Sequence, residues 1–256
     1  MSYPIVQNLI PGLPNEPYDS GRYVGVVAHA TANNGDTADG ERNYESTTWQ
    51  NAFVHFFVDD QKIEQVADYN YVCFGAGRIA NHLGYVQVEL CQTTDPAKFV
   101  AAYARYVWLL AHLLYQRKLG VVDRVTLMSH AQVSAKWHET THTDPLDYLA
   151  SHGKTWANLV ADVTAQYKEM EGNDVLDVAV LLFTKDDYWA GADVAAKNGN
   201  CAIFVRPDDH SVPADAKSAK QLIVVGGPTT GHPHEVLLSG NNKYDTASAV
   251  AKYLGQ

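Results

Sequence analysis

Two short apolar, β-branched runs in this chain each end in a histidine: Val24-Gly25-Val26-Val27-Ala28-His29 and Val125-Thr126-Leu127-Met128-Ser129-His130. Runs of this length and composition read as strands of a buried sheet. A strand-end histidine standing alone is usually a core or rim residue. Two in the same placement constrain the fold further, because the two places can meet in space and offer paired imidazoles.

A polar run follows His130, carrying His138, His142, Asp144 and His152. Two strand-end histidines plus one loop carboxylate would give three protein ligands and an open fourth position, the arrangement of a catalytic zinc. Asp144, His138 and His142 all compete for the third place. Pro145 favours Asp144, because a following proline helps hold a turn that presents the carboxylate.

The chain divides by pattern. Residues 1–22, rich in Pro, Asn and Gly, read as an extended arm. Strands are expected at 24–31, 53–58 with 62–66 as a hairpin, 85–90 and 125–129; helices are expected at 44–52, at 154–170, and from the Asp95-Pro96 start signal to about Gly120. Glu171-Gly172-Asn173-Asp174 reads as a polar break. Beyond it strands and helices alternate, implying a small parallel sheet with right-handed crossovers. The expected class is therefore α/β: a mixed β-sheet flanked by helices over 1–170, a linker at 171–174, and a small parallel α/β domain over 175–256.

With 29 acidic against 19 basic residues and a net charge of -10, the chain lacks the basic face a nucleic-acid binder needs. Three cysteines at unrelated spacings (Cys73, Cys91, Cys201) read as thiols, not as a disulfide framework. No basic and apolar leader opens the sequence and no apolar run is long enough to span a bilayer, so synthesis in the cytosol without membrane partners is expected.

On these residues the first region resembles the zinc-dependent N-acetylmuramoyl-L-alanine amidases, related in fold to phage lysozyme-type amidases and peptidoglycan recognition proteins. The resemblance rests on His29-Ala30-Thr31, the hairpin beginning at Phe53, Asn81-His82-Leu83-Gly84-Tyr85-Val86-Gln87-Val88-Glu89, Ser129-His130, and Thr141-His142-Thr143-Asp144-Pro145. It implies Zn2+ on His29, His130 and Asp144, Glu89 as the catalytic carboxylate and His142 as a transition-state stabiliser. It further implies substrate contacts from Thr31, Asn81 and His82. Read without the family, Glu89 among valines is equally well the exposed face of a strand. The chain departs from the family in two places: Lys136-Trp137-His138-Glu139 reads as an insertion, which keeps His138 in competition, and Cys73-Phe74-Gly75 stands where an aromatic-His-Gly step is common.

The second region, with Val225-Gly226-Gly227 and Gly240-Asn241-Asn242-Lys243-Tyr244-Asp245-Thr246-Ala247, resembles the type 2 cell-wall-binding repeat, with Lys243 in place of the usual Arg. That resemblance implies binding to peptidoglycan or a secondary wall polymer, and self-association into a homo-oligomer. The combined expectation is a phage endolysin that cleaves the amide between N-acetylmuramic acid and L-alanine and reaches the wall through a holin pore. A bacterial autolysin, a non-catalytic peptidoglycan-binding module and a zinc hydrolase of another substrate are the competing readings. An internal start at Met170, releasing the second region alone, is also open.

Overall fold

The computed structural model describes residues 2–173 and 175–256. Contacts divide the chain into two compact units, residues 1–170 and 171–256. Each is built around its own sheet.

The first unit contains strands β1 (Ile5–Gln7), β2 (Gly25–Asn34), β3 (Phe56–Val58), β4 (Ile63–Gln65), β5 (Tyr85–Gln92) and β6 (Leu127–Ser129). They form a mixed sheet in the order β1-β4-β3-β5-β2-β6, with β3 and β4 the antiparallel pair and every other pairing parallel. Helices α1 (Ala38–Thr48), α2 (Arg78–Leu83), α3 (Pro96–Gln116), α4 (His130–Trp137), α5 (Leu146–Ser151) and α6 (Trp156–Asn173) connect and flank it.

Alternation along the strands assigns the two faces. Val26, Ala28, Val86, Val88 and Leu90 join Tyr106, Leu109, Leu110 and Leu113 of α3 in the main core. The Asp95 side chain caps α3 by accepting from the Ala97 and Lys98 amides, and Pro96 occupies the first turn. On the opposite face Val27 and Met128 pack with Ala76, Ala80 and Val133. His29, Gln87 and Glu89 follow the parity of that second face, so the candidate chemistry sits away from the main core.

Several sequence expectations shift. The arm contributes β1, paired parallel to β4, because Ile5 packs against the main core. The helix expected at 44–52 begins earlier, where the Thr37 side chain accepts from the Gly40 amide. Residues 136–139 are not a loose insertion: Lys136 and Trp137 end α4, and His138 is its left-handed cap at φ 59°. The break expected at 171–174 is helical through Asn173, since Glu171 and Gly172 extend α6; Asp174 lies outside the described residues.

In the second unit β7 (Val178–Leu182), β8 (Ala202–Val205), β9 (Gln221–Val225) and β10 (Glu235–Leu238) form an all-parallel sheet in the order β10-β9-β7-β8. Helices α7 (Tyr188–Lys197), α8 (Ala214–Ser218) and α9 (Lys243–Leu254) complete it. β10 was not expected; its half-exposed edge position leaves a weak apolar signal. Both faces of β7 and β9 are buried, one against α7 and α9 residues and the other against Ala216 and Ala219, which explains their uninterrupted apolar runs. No described helix is long and apolar enough to cross a membrane.

Glu45 on α1 is buried and accepts from the Val54 amide at 3.1 Å; burial pushes its carboxyl up to about 9, against that bond. A folded-state pKa above the unfolded value of 4.5 means the folded chain holds an extra proton between those limits. This contribution to stability is present below about pH 4.5 and lost as pH rises toward 9. Relative to Glu45→Gln, the wild type is expected to lose unfolding free energy steadily across that window, measured by urea melts at several pH values. Parallel pH profiles would refute it.

Candidate metal centre

Strand register brings the candidate ligands together. In the β2–β5 pairing His29 stands opposite Glu89, and in the β2–β6 pairing Ala28 stands opposite Ser129. The next residue on each strand is therefore His29 on β2 and His130 after β6, and their rings lie 4.6 Å apart at 75°. Ser129 ends the strand and starts α4: its side chain accepts from the Gln132 amide, while the Gln132 side chain accepts from the Ser129 amide. The Tyr106 hydroxyl donates to the His29 carbonyl at 2.8 Å, pinning β2 to α3; β2 runs on to Asn34, so His29 lies mid-strand and not at the strand end the sequence suggested.

Asp144 arrives from the loop after α4, with its carbonyl accepting from the Ala131 amide at 3.2 Å. Its carboxylate spans both rings: Oδ2 is 3.1 Å from His29 Nδ1 and Oδ1 is 3.2 Å from His130 Nδ1. Burial pushes this carboxyl up, but hydrogen bonds and charge from His130 and His29 outweigh it and hold Asp144 well below the ordinary carboxylate range. Burial likewise lowers the His130 pKa, outweighing the opposing contact to Asp144. One ligand atom from each of His29, His130 and Asp144 falls within 4.8 Å of the others.

A short hydroxyl chain determines the His130 tautomer. Ser134 Oγ donates to the His142 carbonyl at 2.9 Å, so in its contact with Thr140 the threonine must donate. Thr140 Oγ1 then accepts from His130 Nε2, 3.1 Å away, which places the imidazole proton on Nε2. In the neutral ring this leaves a lone pair on Nδ1 facing a carboxylate oxygen, whereas the hydrogen bond that lowers the Asp144 pKa requires the ring to carry a second proton. Two acceptors at 3.2 Å repel unless a cation or a second proton lies between them, and burial disfavours the proton. His29 Nε2 is also buried without a partner. Two imidazoles and a carboxylate form a donor set suited to zinc, and the residues present fit such an ion.

Glu89 lies at the edge of this cluster, Oε1 4.0 Å from His29 Nδ1, with Oε2 buried and unpartnered. Burial first, then the charge of Asp144, pushes its pKa well above the ordinary value. His142 is exposed, stacks on His130 at 4.6 Å and 10°, and brings Nδ1 to 3.6 Å from Asp144 Oδ1. Cavities of about 450 Å³ open on either side of it. One is lined by Thr31, Gln92, Asp144, Asp147 and Tyr148, the other by Phe74, Gly75, Gly77, His130 and Glu139.

The remaining candidates are placed differently. Thr31 lines the first cavity and its hydroxyl accepts from the Gln92 amide at 3.0 Å. Asn81 is buried, with Oδ1 accepting from the Ala76 amide and Gln87 Nε2, and His82 faces Glu16 at 3.6 Å; neither lines the two flanking cavities. His138 caps α4 and lines the second cavity outside the ligand cluster. His152 stacks on Phe99 at 3.8 Å. Sequence reasoning missed Thr140 and Ser134, whose role depends on how the loop folds back over α4. It also missed Gln87, whose place on Glu89's strand at the same parity was the available signal.

Residues 19–147 match the family model described as N-acetylmuramoyl-L-alanine amidase. The endolysin of Listeria phage A511 is 36% identical over 173 residues, covering 64% of this chain and 50% of that protein. Protein Ami of Listeria monocytogenes is 38% identical over 158 residues, 60% of this chain and 17% of that protein. The chain thus spans half or less of the length of these curated relatives. The structure of Staphylococcus aureus hydrolase AmiA in complex with its ligand superposes with a TM-score of 0.65 at 31% identity, covering 67% of this chain and 87% of that one. The catalytic domain of XlyA, 24% identical with a TM-score of 0.50, shares the fold.

Thr140→Val removes the acceptor that holds the His130 proton on Nε2. Metal affinity is expected to fall by about 10–100-fold, read by competition with a chelating dye. Unchanged affinity would remove Thr140 from the metal centre.

Proposed function

The chain belongs to the N-acetylmuramoyl-L-alanine amidase family, and from that premise we propose that it is a zinc-dependent peptidoglycan hydrolase acting as a phage endolysin. The bond cleaved is the amide between the lactyl group of N-acetylmuramic acid and L-alanine. The observation that carries this reading is the convergence of His29, His130 and Asp144 with Glu89 alongside.

His29, His130 and Asp144 would hold the ion. When bound, zinc supplies Lewis acidity, polarising a carbonyl and bringing the pKa of water toward about 7. Glu89 takes the proton of the attacking water and returns it to the leaving L-alanine amine. His142, exposed beside the ligands, donates to the oxygen that gains charge as the carbonyl becomes tetrahedral. The cavities on either side of His142 receive the two parts of the substrate.

Residues 175–256 supply wall attachment, to peptidoglycan or a secondary polymer, and a surface for self-association; the motif around Gly226-Gly227 and Lys243-Tyr244 supports that role. An anchor raises the local concentration of the enzyme on a polymeric substrate. Passage from the host cytoplasm through a holin pore completes the endolysin reading. The similarity to Protein Ami and to the bifunctional autolysins of Staphylococcus epidermidis, 35% identical over 152 residues, supports a bacterial autolysin as the second reading.

Glu89→Gln is expected to retain stoichiometric zinc while turnover falls by about 10²–10⁴-fold. Elemental analysis and the release of new L-alanine amino termini from purified walls measure both. Full activity would exclude Glu89 from proton transfer. His29→Ala is expected to lose both metal and lysis, and an intact zinc content would exclude the ligand assignment.

A further inference from the structure

The second unit carries a crevice that amide hydrolysis does not use. It encloses about 260 Å³ at the carboxyl ends of β7 and β8, between the loop starting at Phe183 and the loop from Val205 to His210.

Arg206 lines the crevice and is only 8% exposed. Among the described residues no carboxylate lies within ion-pair distance of it. Its Nη2 donates to the Pro228 carbonyl, its Nη1 to the His210 carbonyl at 3.5 Å, and its Nε has no partner. Burying a cation with neither counter-charge nor a full set of hydrogen bonds is unfavourable, so such a group calls for an anion.

The surroundings hold this guanidinium in place. It lies over the Phe183 ring at 5.7 Å, and His210 stacks on Phe183 at 4.7 Å and 18°. Gly227, at φ 68°, lets the β9 loop close on that ring: a Cβ there would stand 2.2 Å from Phe183. Lys185 adds an exposed positive charge at the mouth. Asp186 and Asp208 also line the mouth, both exposed, and neither pairs with Arg206.

We propose that this crevice is an oxyanion site in which Arg206, assisted by Lys185, binds a phosphate or carboxylate group of the bacterial wall. A planar guanidinium offers paired donors that match either group. The wall as the source of the anion rests on reading residues 175–256 as an attachment domain; the oxyanion site itself rests on Arg206.

The test uses the full ¹⁵N-labelled chain, titrated separately with inorganic phosphate and with acetate, reading amides of residues 183–187 and 206–210. Saturable shifts are expected, with affinity at least about tenfold weaker in Arg206→Gln and partly restored in Arg206→Lys. No saturable shift in the wild type, or equal affinity in Arg206→Gln, overturns the site. If Arg206→Gln unfolds the second unit, exposed Lys185→Gln replaces it: a several-fold loss supports the proposal and unchanged affinity overturns it.

Pelleting with walls under chelation identifies the source. Arg206-dependent binding that disappears once phosphodiester polymers are stripped assigns phosphate, and binding that persists assigns peptidoglycan carboxylates. Wall binding independent of Arg206 overturns the wall ligand. Cleavage of a soluble muropeptide reports the amidase reading separately.

Discussion

Parallel pairing of β2 with β5 on one side and with β6 on the other sets everything else in the first unit. The ladder places His29 beside Glu89 and directs the chain after Ser129 so that His130 meets His29. A slip of one residue would turn these side chains into the core against α3, where Val88 and Ala28 now lie. The apolar packing of that core therefore holds the polar face in register. Tyr106 ties the two together, being fully buried among leucines with its hydroxyl on the His29 carbonyl.

The polar face sets one acceptor against another. Buried groups normally pair donor with acceptor. Here the Ser134–Thr140–His130 chain places a proton on the side away from Asp144, so in the neutral ring a lone pair faces a carboxylate oxygen 3.2 Å away. The depressed Asp144 pKa expresses the same preference for positive charge at that point. Burial acts oppositely on Glu89, raising its affinity for a proton a few ångströms away. Neighbouring carboxylates pushed in opposite directions are the pattern expected of an anionic ligand and a proton carrier.

The second unit repeats the theme with a simpler device. Its parallel sheet buries both faces, so polar function is restricted to the loops at strand ends. Arg206 occupies one of these ends, held between the Pro228 and His210 carbonyls and the face of Phe183. Two glycines at positive φ, Gly226 and Gly227, bring the β9 loop against Asp187 and Phe183.

By itself, the sequence determined the strands bearing His29 and Glu89, the strand that ends just before His130, the capped helix beginning at Pro96, and the alternating pattern of the second region. Each depends on local periodicity, on a cap or on a short motif, all of which survive in one dimension. Family motifs favoured Asp144 but left His138 in competition. Only tertiary structure decided that His138 ends a helix outside the ligand cluster and that Asn81 clamps a loop beside Gln87 instead of lining the cavities. It alone recruited Thr140 and Ser134 behind His130, left Arg206 Nε buried without a partner among the described residues, and made β1 and β10 into strands. These outcomes depend on long-range register, on loops folding back and on desolvation, quantities that arise only when residues distant in sequence share one interior.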